Sequence, residues 1–206
     1  MNEKLKFSGD VSYYNGGPSN GTNYYFKETD VLGIPGMDSI KTAKGTRIKR
    51  ELFGADFQIA LDNPIGITTL RAEYYAGNQP GTAGSSTSQV AAVSTNAYLR
   101  SVQGYYVYLV QNFCGRHQFV VKYDVWDPNT KVSGMEISDK QAIKGQRFTS
   151  ADVKYSTLGL GYAIRLDENT KFTVYYDHIT NEKTNIKGFA KDLTDNTLTL
   201  RLQYKF

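Results

Sequence analysis

Leu198, Leu200, Leu202, Tyr204 and Phe206 alternate without a break against Thr197, Thr199, Arg201, Gln203 and Lys205. A two-residue period puts successive side chains on opposite faces, so this segment reads as an extended strand with one apolar and one polar face. The same pattern recurs along the chain. Leu5, Phe7, Gly9, Val11 and Tyr13 oppose Lys4, Lys6, Ser8, Asp10 and Ser12. Phe53, Ala55, Phe57, Ile59 and Leu61 follow, then Leu70, Ala72, Tyr74 and Ala76, then Phe119, Val121, Tyr123 and Val125. Eight strands are expected, at about 5–13, 47–61, 69–76, 97–111, 117–126, 151–166, 171–180 and 196–206.

The connections between these strands alternate in length. Those at 16–46, 78–96, 127–150 and 181–195 are long, and those at 62–65, 112–116 and 167–170 are short. Residues 16–46 carry GGPSNG, GIPG and AKG without sustained periodicity and read as loop. The NQPGTAGSSTSQ run at 78–89 is low in complexity. One rim trimmed and the other looped is the pattern of outer-membrane barrels, and strands of about 10 to 15 residues suit a tilted membrane crossing better than a soluble sheet. Aromatic residues late in the outgoing strands (Tyr13 and Tyr14, Tyr74 and Tyr75, Tyr123 and Trp126, Tyr175 and Tyr176) fit an interfacial girdle. Ordinary cross-strand aromatic pairing is the competing reading.

Composition agrees with an all-β chain. There are 16 Tyr, 10 Phe and 19 Gly against 5 Pro in 206 residues. Mean hydropathy is -0.47, and no segment has the roughly 18 uninterrupted apolar residues of a membrane-spanning helix. A barrel is compatible with that value, since only alternate residues face lipid. The net charge of +4 is spread along the chain, which gives nucleic-acid binding no support. Cys114 is the only cysteine, so neither an internal disulfide nor a Cys-rich metal site is expected; it reads as a turn residue. The opening MNEKLKF lacks the apolar core of a secretory signal, so a mature form, an artificial start or a partial sequence is expected.

The segments LDNPIGITTLRAEYYAGNQPG (61–81), FVVKYDVWDPNTKVSG (119–134), YSTLGLGYAIRLDENTKFTVYYD (155–177) and DNTLTLRLQYKF (195–206) resemble the phosphate-selective porin O and P family. The resemblance implies an antiparallel up-and-down transmembrane β-barrel of about sixteen strands, of which these eight are the C-terminal half. It further implies an outer-membrane channel for small solutes, phosphate or other anions among them, and leaves a homotrimer open. The terminal Tyr204 and Phe206 resemble the signal read by the barrel-assembly machinery. No short motif specifies a phosphate site.

With the apolar faces on lipid, the lumen-facing set includes Asp56, Arg71, Glu73, Lys122, Asp124, Asp177, Arg201 and Lys205. Arg71, Lys122 and Arg201 are the mid-strand candidates for anion preference, set against simple pairing with Glu73, Asp124 and Asp177 on neighbouring strands. A complete eight-stranded barrel would instead be plugged by its own side chains and act structurally or through its loops. Enzymatic activity is not expected: His117 and His178 have no nucleophile at a recognisable spacing and read as interfacial. Asp124, Asp127 and Asn129 have oxygens for calcium but lack the rest of an EF-hand, and Asp127 to Asn129 reads as a turn. No cofactor or metal is expected.

Overall fold

The computed structural model describes residues 4–31, 33–87, 95–139 and 148–206. Ten strands form one sheet: β1 Leu5–Gly16, β2 Tyr24–Val31, β3 Ile34–Lys41, β4 Arg50–Asn63, β5 Gly66–Gly81, β6 Ala97–Phe113, β7 His117–Asp127, β8 Tyr155–Arg165, β9 Thr170–Asn181 and β10 Thr197–Tyr204. Eight of them make an antiparallel meander in the order β1-β4-β5-β6-β7-β8-β9-β10. These are the eight expected strands, except that β5 continues to Gly81, into the expected loop at 78–96, and β8 begins only at Tyr155, after a single 3-10 turn at Ser150–Asp152. The sheet is open, because β1 and β10 are its two edges.

The tight turns are set by local chemistry. Between β6 and β7, Cys114 and Gly115 both have positive φ (51° and 65°), the mirror-image geometry that matches the twist of the flanking strands. Between β8 and β9, Asp167 Oδ1 accepts the backbone N–H groups of Asn169 and Thr170 at 2.7 Å each. Those N–H groups, Asn169 first, hold the Asp167 carboxyl below its ordinary range. Gly66 opens β5 at φ 132°, where a Cβ would fall 2.1 Å from the Asn112 carbonyl oxygen, so the turn after Pro64 and Ile65 requires glycine.

One expectation is corrected. Residues 16–46 are not a plain loop: they contain the β2–β3 hairpin, paired from Tyr24↔Lys41 to Val31↔Ile34. Pro35 and Gly36, which read as breakers, are tolerated because β3 pairs only with β2 and its outer edge needs no ladder donors. The hairpin has a definite berth. β6 outruns β7, whose ladder ends at Gln103↔Asp127, and β2 fills the vacated edge in parallel at Tyr25↔Ala97, Phe26↔Tyr98 and Lys27↔Leu99. Beyond that bridge the Ser101 N–H donates to the Glu28 carboxylate, and the Ser101 carbonyl accepts from Thr130 N–H at 2.8 Å. The protruding edge is thereby satisfied.

The buried core lies at the long-loop end rather than along the meander. Phe26, Met37, Tyr98, Val132, Ile137, Phe148 and Val153 cluster there, with Met37, Ile137 and Val153 wholly buried. Beneath them Arg100 and Asp152 form an ion pair at 2.7 Å, each side chain 1% exposed. Asp152 also accepts from Asn129 Nδ2 and the Thr149 N–H, while Arg100 donates to the carbonyls of Thr82 and Ala83. One buried charge pair therefore fastens two long connections to the end of β6.

Candidate functional site: the two faces of the sheet

Strand register decides what each face carries. On one face Phe7, Ile59, Leu70, Leu109, Val121, Leu160, Tyr176 and Leu198 are partners in sequence across all eight strands. No polar residue interrupts that row. The face stays open: Phe7 is 71% exposed, Leu109 and Leu160 44% each, and Leu198 63%. On β4 the band runs from Phe53 to Leu61, the length of one tilted bilayer crossing. A continuous exposed apolar surface marks a face that meets another apolar partner, whether protein, ligand or lipid.

Every expected lumen residue on a paired strand lies on the opposite face, because each sits an even number of residues from a polar-face neighbour. One row reads Asp10, Asp56, Glu73, Tyr106, Asp124 and Thr157. The next toward the short turns reads Ser8, Gln58, Arg71, Tyr108, Lys122, Gly159, Asp177 and Thr197. Arg201 falls opposite Thr173 at the sheet edge, and Lys205, just beyond β10, donates its N–H to the Asn169 carbonyl.

The structure brings three of these residues together. Lys122 Nζ lies 2.8 Å from Asp124 Oδ2 and 3.1 Å from Asp177 Oδ1. Lys122 and Asp177 stand two strands apart, and they meet because Gly159 lies between them in register without a side chain. Lys122 pairs with two of the expected carboxylates, but not across neighbouring strands: Asp124 is on its own strand and Asp177 is two strands away. Arg71 and Arg201 form no ion pair among the described residues. The acidic row thus outweighs the basic groups beside it, and Lys122 is already neutralised.

The aromatic girdle divides between the faces. Tyr13, Tyr74, Tyr123 and Tyr176 stand on the apolar face and are each exposed. Tyr14, Tyr75, Trp126 and Tyr175 share the polar face, since adjacent residues of a strand cannot point the same way. Tyr75 and Trp126 stack there with ring centroids 5.8 Å apart. They line a cleft of about 640 Å³ with Tyr14, Arg50, Glu73 and Gln79. Alternation alone separates the two sets, so this division was available from sequence.

Both histidines lie on the apolar face at its rims. His117 Nδ1 is 2.5 Å from the Tyr162 hydroxyl and its ring stacks on Phe113, while His178 Nδ1 is 3.0 Å from Asn196 Oδ1. Asp127 Oδ1 accepts the Asn129 N–H at 3.1 Å, the side-chain turn expected there, and Asn129 is fully buried. Among the described residues no group of three or more ligating side chains could hold a metal. At the hairpin, burial pushes the Glu28 carboxyl above its ordinary value, opposed by the hydrogen bonds from Ser101. Glu28 faces a cavity of about 550 Å³ shared with Lys27, Asp30 and Lys131.

Sequence reasoning missed Arg100 and Asp152. Both sit where periodicity gives no sign of burial, and their pairing depends on loop geometry 52 residues apart. Compared with family models, curated proteins and solved structures, the chain matches none.

Proposed function

We propose that this chain forms part of the wall of an outer-membrane β-barrel of porin type, lining a water-filled path for the passive diffusion of small solutes. The observation that carries this reading is the uninterrupted apolar row across eight strands, exposed on one face of the sheet, with a charged face behind it. Lipid is the solvent that suits the first face, and water the second. The resemblance to the phosphate-selective porin O and P family supports the same assignment.

In hydrocarbon the outer N–H and C=O groups of β1 and β10 require partners, so the working barrel closes these edges with each other or with further strands. The choice fixes the pore. Eight strands leave an interior that side chains fill, whereas sixteen leave water. The plugged reading draws on the eight wall strands seen here, the channel reading on the charged face and the resemblance. Planar-bilayer recording separates them: the channel reading expects stable, ohmic conductance steps from the refolded protein, and a folded, inserted protein without steps refutes it.

The row of Asp10, Asp56, Glu73 and Asp124 bears on selectivity. Anion preference needs an excess of Arg or Lys at the constriction, and of the two cations in the adjoining row Lys122 is ion-paired while Arg71 forms no ion pair among the described residues. We therefore assign the path a weak preference for cations over phosphate-like anions.

A further inference from the structure

The polar face carries more aromatic surface than a water-facing wall needs. Tyr75, Gly104 and Trp126 are consecutive partners in one register row, and the two rings stack across the glycine between them. A Cβ at Gly104 would fall 2.7 Å from the Tyr75 ring, so it is the missing side chain that lets the ring lie down against the wall. One row nearer the short turns is Tyr106, and one further Tyr108, their rings in edge contact at 5.3 Å. The next row holds Tyr175, lying over Gly159 and Gly161, where a Cβ would come within 2.3 and 2.4 Å of it. Its hydroxyl is buried without a hydrogen-bond partner among the described residues. Successive rows are about 6.8 Å apart, so the aromatic groups mark a path of about 20 Å down the wall.

Polar groups of two kinds border the path: Glu73 and Asp124 are acceptors and Arg71 is a donor, while the buried Gln79 amide is held by the Ser86 carbonyl and Arg50 at the looped end. A ligand suited to this combination is long, has an apolar face to lay on flat rings, and carries many neutral hydroxyls. An anion is disfavoured by the carboxylate row, and a purely apolar chain makes no use of the Glu73 and Asp124 oxygens or the Arg71 guanidinium.

We propose that Tyr75, Trp126, Tyr106, Tyr108 and Tyr175 form a track for a neutral, linear oligosaccharide, with sugar rings stacking on the aromatic faces and hydroxyls meeting Glu73, Asp124 and Arg71. The track rests on the channel reading for its direction of travel, but sugar binding can be measured without transport. Trp126 is the single tryptophan, and so reports on the track directly.

The test titrates the full chain, refolded in an amine-oxide detergent to avoid sugar headgroups, with maltohexaose, cellohexaose and chitohexaose while Trp126 emission is followed. Polyethylene glycol of matched mass and inorganic phosphate are the comparison solutes. The proposal expects a saturable change with at least one hexasaccharide and none with either comparison solute. It expects Tyr75→Ala to weaken that affinity about tenfold, a loss of one stacking platform, and Tyr75→Phe to restore it. No response to any of the three sugars, or equal affinity in wild type and Tyr75→Ala with the fold intact by heat-shifted gel mobility, would overturn it. A response to phosphate alone would also overturn it. Sugar binding without bilayer conductance would remove the channel and keep the track; conductance without binding would do the reverse.

Discussion

Arginine placed in the middle of the apolar face measures directly whether that face meets hydrocarbon. Ala72 and Ala76 are both on β5 and both on that face, four residues apart, which is about 14 Å along an antiparallel strand. Ala72 lies mid-band, opposite Phe57 and Val107; Ala76 lies at the looped end, opposite Phe53 and Gln103. Because the parent residue is alanine in both cases, almost no apolar burial is lost and the cost is that of the guanidinium. At a bilayer midplane this is about 2–4 kcal/mol, and near an interface about 0–1 kcal/mol. Ala72→Arg should therefore lower the folding equilibrium constant in phospholipid vesicles about 30- to 800-fold, and Ala76→Arg about fivefold at most. Gln58→Arg, on the polar face of β4, is the control and should change stability by about 0.5 kcal/mol or less. Guanidinium titration with Trp126 emission as the readout gives all three values. Equal small costs at residues 72 and 76 would mean that water covers the face, and equal large costs that protein does. Either result refutes the lipid assignment.

Three further outcomes are expected. Asp152→Ala leaves the Arg100 charge buried and unpaired, at a cost of about 3–5 kcal/mol to the loop assembly; limited proteolysis should accelerate at the long connections while the far-ultraviolet circular dichroism of the meander persists. Glu28 has its carboxyl raised by burial, so the docked hairpin holds a proton more tightly than the undocked one. Hairpin docking is then strongest at pH below the ordinary carboxyl value of 4.5 and weakens as pH rises from there through the raised value. Hydrogen exchange of β2 amides, corrected for intrinsic rate, should show that trend, and Glu28→Gln should abolish it. In a potassium chloride gradient the reversal potential should have the sign of cation preference and shift toward anions in Asp56→Asn with Glu73→Gln; an anion-selective wild type would refute the electrostatic reading of the acidic row.

Alternation made most of the wall legible in advance. The eight wall strands and the facing of Arg71, Glu73, Lys122, Asp124 and Asp177 follow from a period of two, because a one-residue slip would exchange the faces; the three tight turns were legible from the short gaps between the alternating runs. Pairing of Lys122 with a carboxylate was expected across neighbouring strands, whereas the contacts run within β7 to Asp124 and over Gly159 to Asp177, a geometry that depends on register, which a single strand does not contain. The hairpin at residues 24–41 was hidden by Pro35 and Gly36, whose meaning changes at a free edge. Its berth exists only because β6 is longer than β7. Arg100 and Asp152 were invisible for a related reason: their burial is made by loops folding over the end of the sheet, and no local pattern records that. The open edges of β1 and β10 are likewise a property of the whole sheet rather than of either strand.

The central claim, lipid on one face and a water-filled path on the other, is tested most directly by accessibility along β7. In a Cys114→Asn background, which keeps a residue tolerant of positive φ in the turn, single cysteines are placed in turn at residues 118 to 125 of protein inserted in vesicles. The account predicts that a small water-soluble maleimide labels positions 118, 120, 122 and 124, and that 119, 121, 123 and 125 resist it, a strict period of two. Labelling of both sets would contradict the lipid-facing assignment, and protection of both sets would contradict the water-filled path.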